Sequence, residues 1–439
     1  MINEDSLSEE RGRASAPTDG IDAGLELRLQ ARRKWLGDAA LEYDPPLEPV
    51  RGDGVYLFDD SGQRYLDMDS HAPSVGHGHP EVASAIAAQA ATLNTHSRHL
   101  NKAMEAYAAR LLGMFPAPLD NLVMTCSGSE ANDLALRIAN IVTGQRGVIV
   151  TSGARHGSTA MTAEISPGLR QPLPAHVRTI PPPDPRLAGK AELSGWFAAR
   201  VREEAEFLRE TGAGLAALVL DSTFGFDGVF TDPPGFMAEA VNVARAAGGL
   251  FVADEVQTGF GRTGVMWGFS RHGVVPDVVT LGKPMGNGYP VGGVVTRGDY
   301  LARLNDHAPY LSGCGGSPVA VAAGMAVLDV IEAENLARNA GRSGEALRKG
   351  LRRLAKSFPL IGAVRGAGLS IGVELTAPGA GAPDPGMARR VINALRRDFV
   401  LTGSAGPGGH TLLLRPPLPI STAQVAHFLE VFGGVLKTI

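Results

Sequence analysis

The stretch Leu250-Phe-Val-Ala-Asp-Glu-Val-Gln-Thr-Gly-Phe-Gly-Arg-Thr-Gly264, followed by Val278-Val-Thr-Leu-Gly-Lys-Pro-Met-Gly-Asn-Gly-Tyr-Pro-Val291, decides how the chain folds. Leu250 to Ala253 and Val278 to Leu281 are short, uniformly apolar runs that end in polar residues, the pattern of strands buried on both faces of a parallel sheet. Similar runs stand at Val148 to Thr151, Leu215 to Leu220 and Val291 to Val295, separated by segments long enough for crossovers. The expected fold is α/β, a mostly parallel sheet with helices on both faces. Beyond a helix from about Ser317 to Ala333 the pattern changes. Helices at Leu336 to Ser357 and Gly386 to Phe399 flank strands at Gly368 to Glu374 and Thr411 to Leu414, which predicts a smaller α+β domain. The expected division is a disordered tail over 1–20, a segment over 21–67 that joins the small domain, a large domain over 68–325 and the small domain over 326–439. Ile21 to Asp44 reads as helical, Val55 to Asp67 as a hairpin, and the proline-rich run Arg170 to Pro185 as a long surface connection.

Composition narrows the function. The 439 residues carry 41 Lys+Arg against 45 Asp+Glu, a net charge of −4, with no basic run, so a nucleic-acid partner has no electrostatic footprint. Met1 to Asp22 is polar, and no stretch reaches the roughly 18 apolar residues a membrane helix needs, so the expected location is the cytoplasm with no membrane partner. Cys126 and Cys314 are too few for a disulfide framework and do not sit at metal-ligand spacing, so no metal is expected.

Three places can carry chemistry. Ser127-Gly-Ser-Glu-Ala-Asn132 precedes an amphipathic helix, where free backbone N–H groups and the helix dipole suit a phosphate; the same residues also read as a plain N-cap. Asp254 ends a strand at the carboxyl edge of the sheet, where open α/β sheets bind ligands, although an aspartate there can equally cap its turn. Lys283, one of only seven lysines, lies between an apolar strand and a glycine-proline loop. A desolvated ammonium has a depressed pKa and becomes a nucleophile able to form a Schiff base with a carbonyl; a lysine whose head reaches out to water is the alternative. A phosphate cradle, a carboxylate for a pyridinium N–H and an amine for an aldehyde are together the contacts that pyridoxal 5′-phosphate requires.

At this point the chain resembles the class III pyridoxal-phosphate-dependent aminotransferases of fold type I. The likeness rests on Val75-Gly-His-Gly-His-Pro80, Ser127 to Asn132, His156-Gly157, Asp254 to Gly264, Gly282-Lys283 and Gly315-Gly316. Asn94 to Arg98, Leu134 to Leu136 and Val364 to Leu369 are most similar to the branch with alanine–glyoxylate aminotransferase 2-like proteins and ethanolamine-phosphate phospho-lyase. The resemblance implies that Gly128 and Ser129 bind the phosphate, Asp254 pairs with the ring nitrogen, Val256 packs on the ring, Gln257 bonds the phenolic oxygen and Lys283 forms the Schiff base. It also implies a homodimer or a dimer of dimers.

The departures cluster elsewhere. Arg155 stands where the family has a ring-stacking aromatic residue, leaving Arg155, His156 or another chain to cover the ring. Asp221 replaces a glutamate, and Ser312 stands for a threonine that a neighbouring subunit gives to the phosphate. Leu413 replaces the arginine that binds substrate carboxylate; Arg415, two residues on, is expected to project to the same face and take over that clamp, with Arg155 meeting polar bulk of the substrate. A surface role for Arg415 is the alternative. The expected function is an enzyme acting on a small amine or amino-acid-derived molecule, foremost an aminotransferase. The alternatives are a lyase or elimination-replacement enzyme acting on an O-phospho-amine or S-adenosylmethionine-like substrate, an epimerase or aminomutase, and lastly a non-catalytic binding protein.

Overall fold

The computed structural model describes residues 23–37, 41–70, 72–189, 192–377, 379 and 381–439; the tail expected over 1–20 lies outside them. The chain divides into two units, Met1–Leu47 and Glu48–Ile439. In the first, the expected helix is shorter than its pattern suggested, Ala23–Leu36.

The second unit is built on a seven-stranded sheet in the order Asn121–Thr125, Gly292–Thr296, Val278–Leu281, Leu250–Asp254, Leu215–Asp221, Gly147–Thr151, Val177–Ile180. The last five run parallel, and Gly292–Thr296 is antiparallel to both of its neighbours. The central strands are buried along their whole length, as uniformly apolar runs should be when helices cover both faces. Helix Gly128–Thr143 packs across them, its apolar side made by Ala131, Leu134, Ala135 and Ile138 against Val150, Val219, Val252 and Val278.

Two strands depart from the sequence reading. Val177–Ile180, expected to lie in a surface connection, extends the sheet by pairing with Gly147–Thr151. Prolines at 174 and 181 flank it and hide a four-residue edge strand, the place in a sheet where proline is tolerated. Asn121–Thr125 closes the opposite edge.

A second sheet, in the order Ile361–Ala367, Ser370–Leu375, Thr411–Leu414, Gly403–Ala405, is wholly antiparallel. Gly368, expected to begin a strand, is instead in the turn of its first hairpin. The third sheet joins the two ends of the chain: the meander Arg51–Asp53, Tyr56–Phe58, Arg64–Asp67 is extended by Val400–Leu401, parallel to Arg64–Asp67. That pairing places Met68 and Asp69 beside the residues that follow Thr411–Leu414, and the backbone N–H of Arg415 donates to the Met68 carbonyl at 2.6 Å.

Candidate active site

Parallel strands aim their carboxyl ends at one edge of the sheet, and there Asp254 emerges, 6% exposed, from the middle of the sheet. Its Oδ2 accepts from Asn132 Nδ2 at 3.0 Å and meets His156 Nδ1 at 2.7 Å; its Oδ1 accepts from the Val256 N–H at 3.0 Å. Asn132 is fixed in turn, donating also to the His156 carbonyl at 2.7 Å and accepting from Thr280 Oγ1 at 2.7 Å. Burial works to raise the Asp254 carboxyl, but the hydrogen bond and charge of His156, the Val256 N–H and the nearby Lys283 outweigh it and hold the group below the ordinary aspartate value. Asp254 is therefore an anion at the floor of a cavity.

That cavity, of about 450 Å³, is lined by Ser127, Gly128, Ser129, Arg155, His156, Asp254, Val256, Gln257 and Lys283, all but the first singled out from sequence as site residues. Ser158, Phe226 and Tyr289 also line it and were not. Ser127 caps helix Gly128–Thr143 by accepting from the Glu130 N–H at 3.1 Å, and Ser129 Oγ accepts from the Ser158 N–H at 3.2 Å. The start of this helix approaches the strand-end loops closely. A Cβ on Gly128 would fall 2.6 Å from a Val256 methyl, and one on Gly282 would fall 3.0 Å from the Gly128 backbone.

Lys283 begins the single 3-10 turn Lys283–Gly286, squeezed between Gly282 and Pro284 with φ at 27°, a conformation L-residues with side chains avoid. Its ammonium makes no hydrogen bond or ion pair among the described residues. Burial pushes its pKa down, with Arg415 acting in the same direction and Asp254 opposing. An unpaired, readily deprotonated amine at the wall of a cavity is a nucleophile.

Three of the sequence-derived residues are placed otherwise. Asp221 does not line the cavity: its shorter side chain folds back on its own turn, accepting from the Thr223 N–H at 2.9 Å and the Gly225 N–H at 2.8 Å. Ser312 also lies outside the cavity of its own chain, accepting from the Gly315 N–H at 2.9 Å. Arg415 is not a free clamp. It is 6% exposed, with Nε and Nη2 each 3.1 Å from Asp69 Oδ1 and Nη1 donating to Gln257 Oε1. Leu413, whose face it was expected to share, packs with Val229 and Ala405. Arg415 lies beyond the end of Thr411–Leu414, so strand alternation no longer governs where it points. Arg155 does face the cavity, its guanidinium 5.2 Å from the centroid of the Phe226 ring and without an ion pair among the described residues.

The residues present fit pyridoxal 5′-phosphate: a buried carboxylate for the ring N–H, a free amine for the aldehyde, and a glycine-serine helix start for the phosphate. His156, which lines the same cavity, also keeps its Nε2 without a hydrogen-bond partner among the described residues.

Comparison with known proteins gives the same reading. Residues 39–436 match the family model for class-III aminotransferases. The chain is 36% identical over 429 residues to an alanine–glyoxylate aminotransferase 2-like protein of Drosophila melanogaster, covering 94% of this chain and 87% of that one. It is 34% identical over 449 residues to ethanolamine-phosphate phospho-lyase homolog 1 of Caenorhabditis elegans, covering 96% of each. A solved phospholyase from Arthrobacter, in complex with phosphoethanolamine, shares the fold with a TM-score of 0.90 at 39% identity, over 94% of this chain and 100% of that one. The chain belongs to the class-III aminotransferase family, and its cofactor is pyridoxal 5′-phosphate.

Proposed function

We propose that the protein transfers the amino group of a small amine or amino-acid-derived substrate, with Lys283 as the covalent anchor and proton carrier. The observation that carries this reading is Lys283 itself: an amine without a partner, its basicity lowered by burial, on the wall shared with the Asp254 carboxylate. When bound, pyridoxal 5′-phosphate supplies an aldehyde that captures amines and a ring that accepts electrons from a bond at the adjacent carbon. Asp254, kept ionised by His156 and Asn132, holds the proton on the ring nitrogen and so preserves that electron demand. Ser127, Gly128 and Ser129 anchor the phosphate at the helix start. Lys283 Nζ, without a hydrogen bond at the cavity wall, would take the proton from the carbon that bears the substrate amine and, in transamination, deliver it to the cofactor carbon.

A second reading is elimination from a substrate with a leaving group. It is favoured by the likeness to the Arthrobacter phospholyase and by the unpaired Arg155 beside Phe226, which can meet an anionic substituent. One experiment separates the two. Under transamination, an amine donor alone bleaches the visible band of the holoenzyme, and only an added keto acid restores it. Under elimination, the band returns with no acceptor, and inorganic phosphate is released from an O-phospho-amine.

The working form we propose is a homodimer or a dimer of dimers in the cytoplasm. Leu100 and Leu311, 97% and 70% exposed, favour a covering partner, as does a Ser312 that does not reach its own cavity. The two free thiols of Cys126 and Cys314 suit a reducing compartment. A monomeric mass at full activity would overturn the assembly, and recovery from an oxidising compartment would overturn the location.

A further inference from the structure

We infer that Arg415 is a positioning residue for Gln257: held by Asp69, it fixes the polarity of the Gln257 amide so that the cavity receives an N–H donor. The reasoning begins with what a guanidinium can do. It carries five N–H donors and no acceptor, so the end of a glutamine amide that meets it must be the carbonyl. Arg415 Nη1 does meet Gln257 Oε1. The other arm of the amide, Nε2, is then the part of Gln257 free to address the cavity that this residue lines. A glutamine without such a neighbour can present either arm; here the choice is made.

Arg415 is itself locked. Two of its nitrogens meet Asp69 Oδ1 at 3.1 Å, and its backbone N–H is bound by the Met68 carbonyl. Asp69 has its place because residue 403 is a glycine: a Cβ there would fall 2.0 Å from Asp69 Oδ2. A side chain paired at the fork and buried among such partners is not poised to swing toward a substrate, since leaving Asp69 would strand a charge on each side.

The donor has a fitting acceptor. Of the polar groups of pyridoxal 5′-phosphate, the ring nitrogen suits Asp254, the phosphate the helix start and the aldehyde Lys283. The phenolate oxygen, the acceptor that the family resemblance gives to Gln257, remains. An amide N–H donating to it draws off charge and loosens its hold on the proton at Lys283 Nζ. Arg415 thus acts on the resting enzyme through Gln257 in addition to its own charge, independently of any substrate carboxylate. This rests on the cofactor assignment made above.

The test is the pH titration of the visible band of the resting holoenzyme, with no substrate present. Arg415→Ala should move its midpoint upward by about half a pH unit or more. Gln257→Ala should move it in the same direction, and in the Gln257→Ala background Arg415→Ala should add less than it does in the wild type, the remainder being the direct effect of its charge on Lys283. Asp69→Asn, which keeps the buried volume, lowers the midpoint by loss of the anion alone, so an upward shift there reports the loss of the hold on Gln257; it serves if Arg415→Ala does not yield soluble protein. An unmoved midpoint in Arg415→Ala or, failing that, an unmoved or lowered one in Asp69→Asn overturns the inference. So does an additive double variant. A rise in KM confined to carboxylate-bearing amines, with the midpoint unmoved, would restore Arg415 as a clamp. A wild type with no visible band after addition of pyridoxal 5′-phosphate overturns the cofactor assignment and this inference together.

Discussion

Asp221 and Asp254 stand in register at the carboxyl ends of adjacent parallel strands, and their carboxyls are driven in opposite directions. Burial raises Asp221, with the charge of Asp254 adding to it, whereas His156, Val256 and Lys283 overcome burial at Asp254 and lower it. One edge of one sheet therefore holds a carboxyl disposed to keep its proton beside one disposed to lose it. The difference lies in the partners, because both side chains are withdrawn from bulk water.

His156→Ala removes the 2.7 Å hydrogen bond to Asp254 and leaves burial less opposed. A hydrogen bond to a charged group is worth about 1.5–3 kcal/mol, so the dissociation constant for pyridoxal 5′-phosphate should rise about tenfold to a hundredfold. Fluorescence titration of the cofactor-free protein measures it; unchanged affinity would show that His156 does not support Asp254.

Lys283→Ala should abolish the visible band given by the wild type while leaving cofactor that dialysis removes. In the cofactor-free protein, Lys283→Met should also raise stability at pH 7. The folded-state pKa of Lys283 lies below its unfolded value, so folding is penalised at pH values below the unfolded one, neutral pH included. That gain should fade as the pH approaches about 10.4, where the unfolded lysine also deprotonates. Urea denaturation at pH 7 and pH 10 tests the sign.

His272 sets a limit on acid stability. It is 2% exposed, packed edge-on to Phe236 at 4.9 Å, and its Nδ1 has no hydrogen-bond partner among the described residues; burial pushes the imidazole down to about 4. The folded pKa is depressed, so its contribution is complete above the unfolded value of about 6.5 and is lost as the pH falls toward 4. The loss amounts to about 3 kcal/mol at the acid end. His272→Gln should flatten the fall in denaturation midpoint between pH 7 and pH 4.5, and an equally steep fall would count against it.

Gly157 has φ at 149°, and a Cβ there would fall 2.6 Å from Thr162 Oγ1 and 2.7 Å from Ser129 Oγ. Gly157→Ala must push Ser129 out of its place. A cost of about 1–3 kcal/mol should appear as a weaker hold on the cofactor, about fivefold to a hundredfold in dissociation constant, with Lys283 still reactive. Competition by inorganic phosphate for the cofactor-free protein should weaken in parallel.

Asp254 and Lys283 were legible in sequence because each ends an apolar run and opens a glycine-bearing loop, which fixes both strand and edge without tertiary information. Gly128 and Ser129 were legible because a helix start needs only local signals. The edge strand Val177–Ile180 was not, since four residues between prolines carry too little pattern and the neighbouring strand decides the outcome. Phe226 and Tyr289 reach the cavity from irregular loops, where no period says which way a side chain points. Arg415 shows the limit most sharply. Counting alternation along a strand gave it a direction, but its partner Asp69 lies 346 residues away, and that ion pair, together with Gln257, governs its position.

The joining of the two chain ends into one sheet has a consequence for synthesis. Arg64–Asp67 leaves the ribosome early, and Val400–Leu401, its parallel neighbour, leaves near the end. Until then the early strand has an open edge, and Asp69 has no Arg415 to bind. The seven-stranded sheet, complete by Thr296, can form long before. The nascent protein should thus pass through a stage with its lysine and aspartate in place and its glutamine amide still unoriented, a stage in which the exposed edge invites chaperones or another nascent chain.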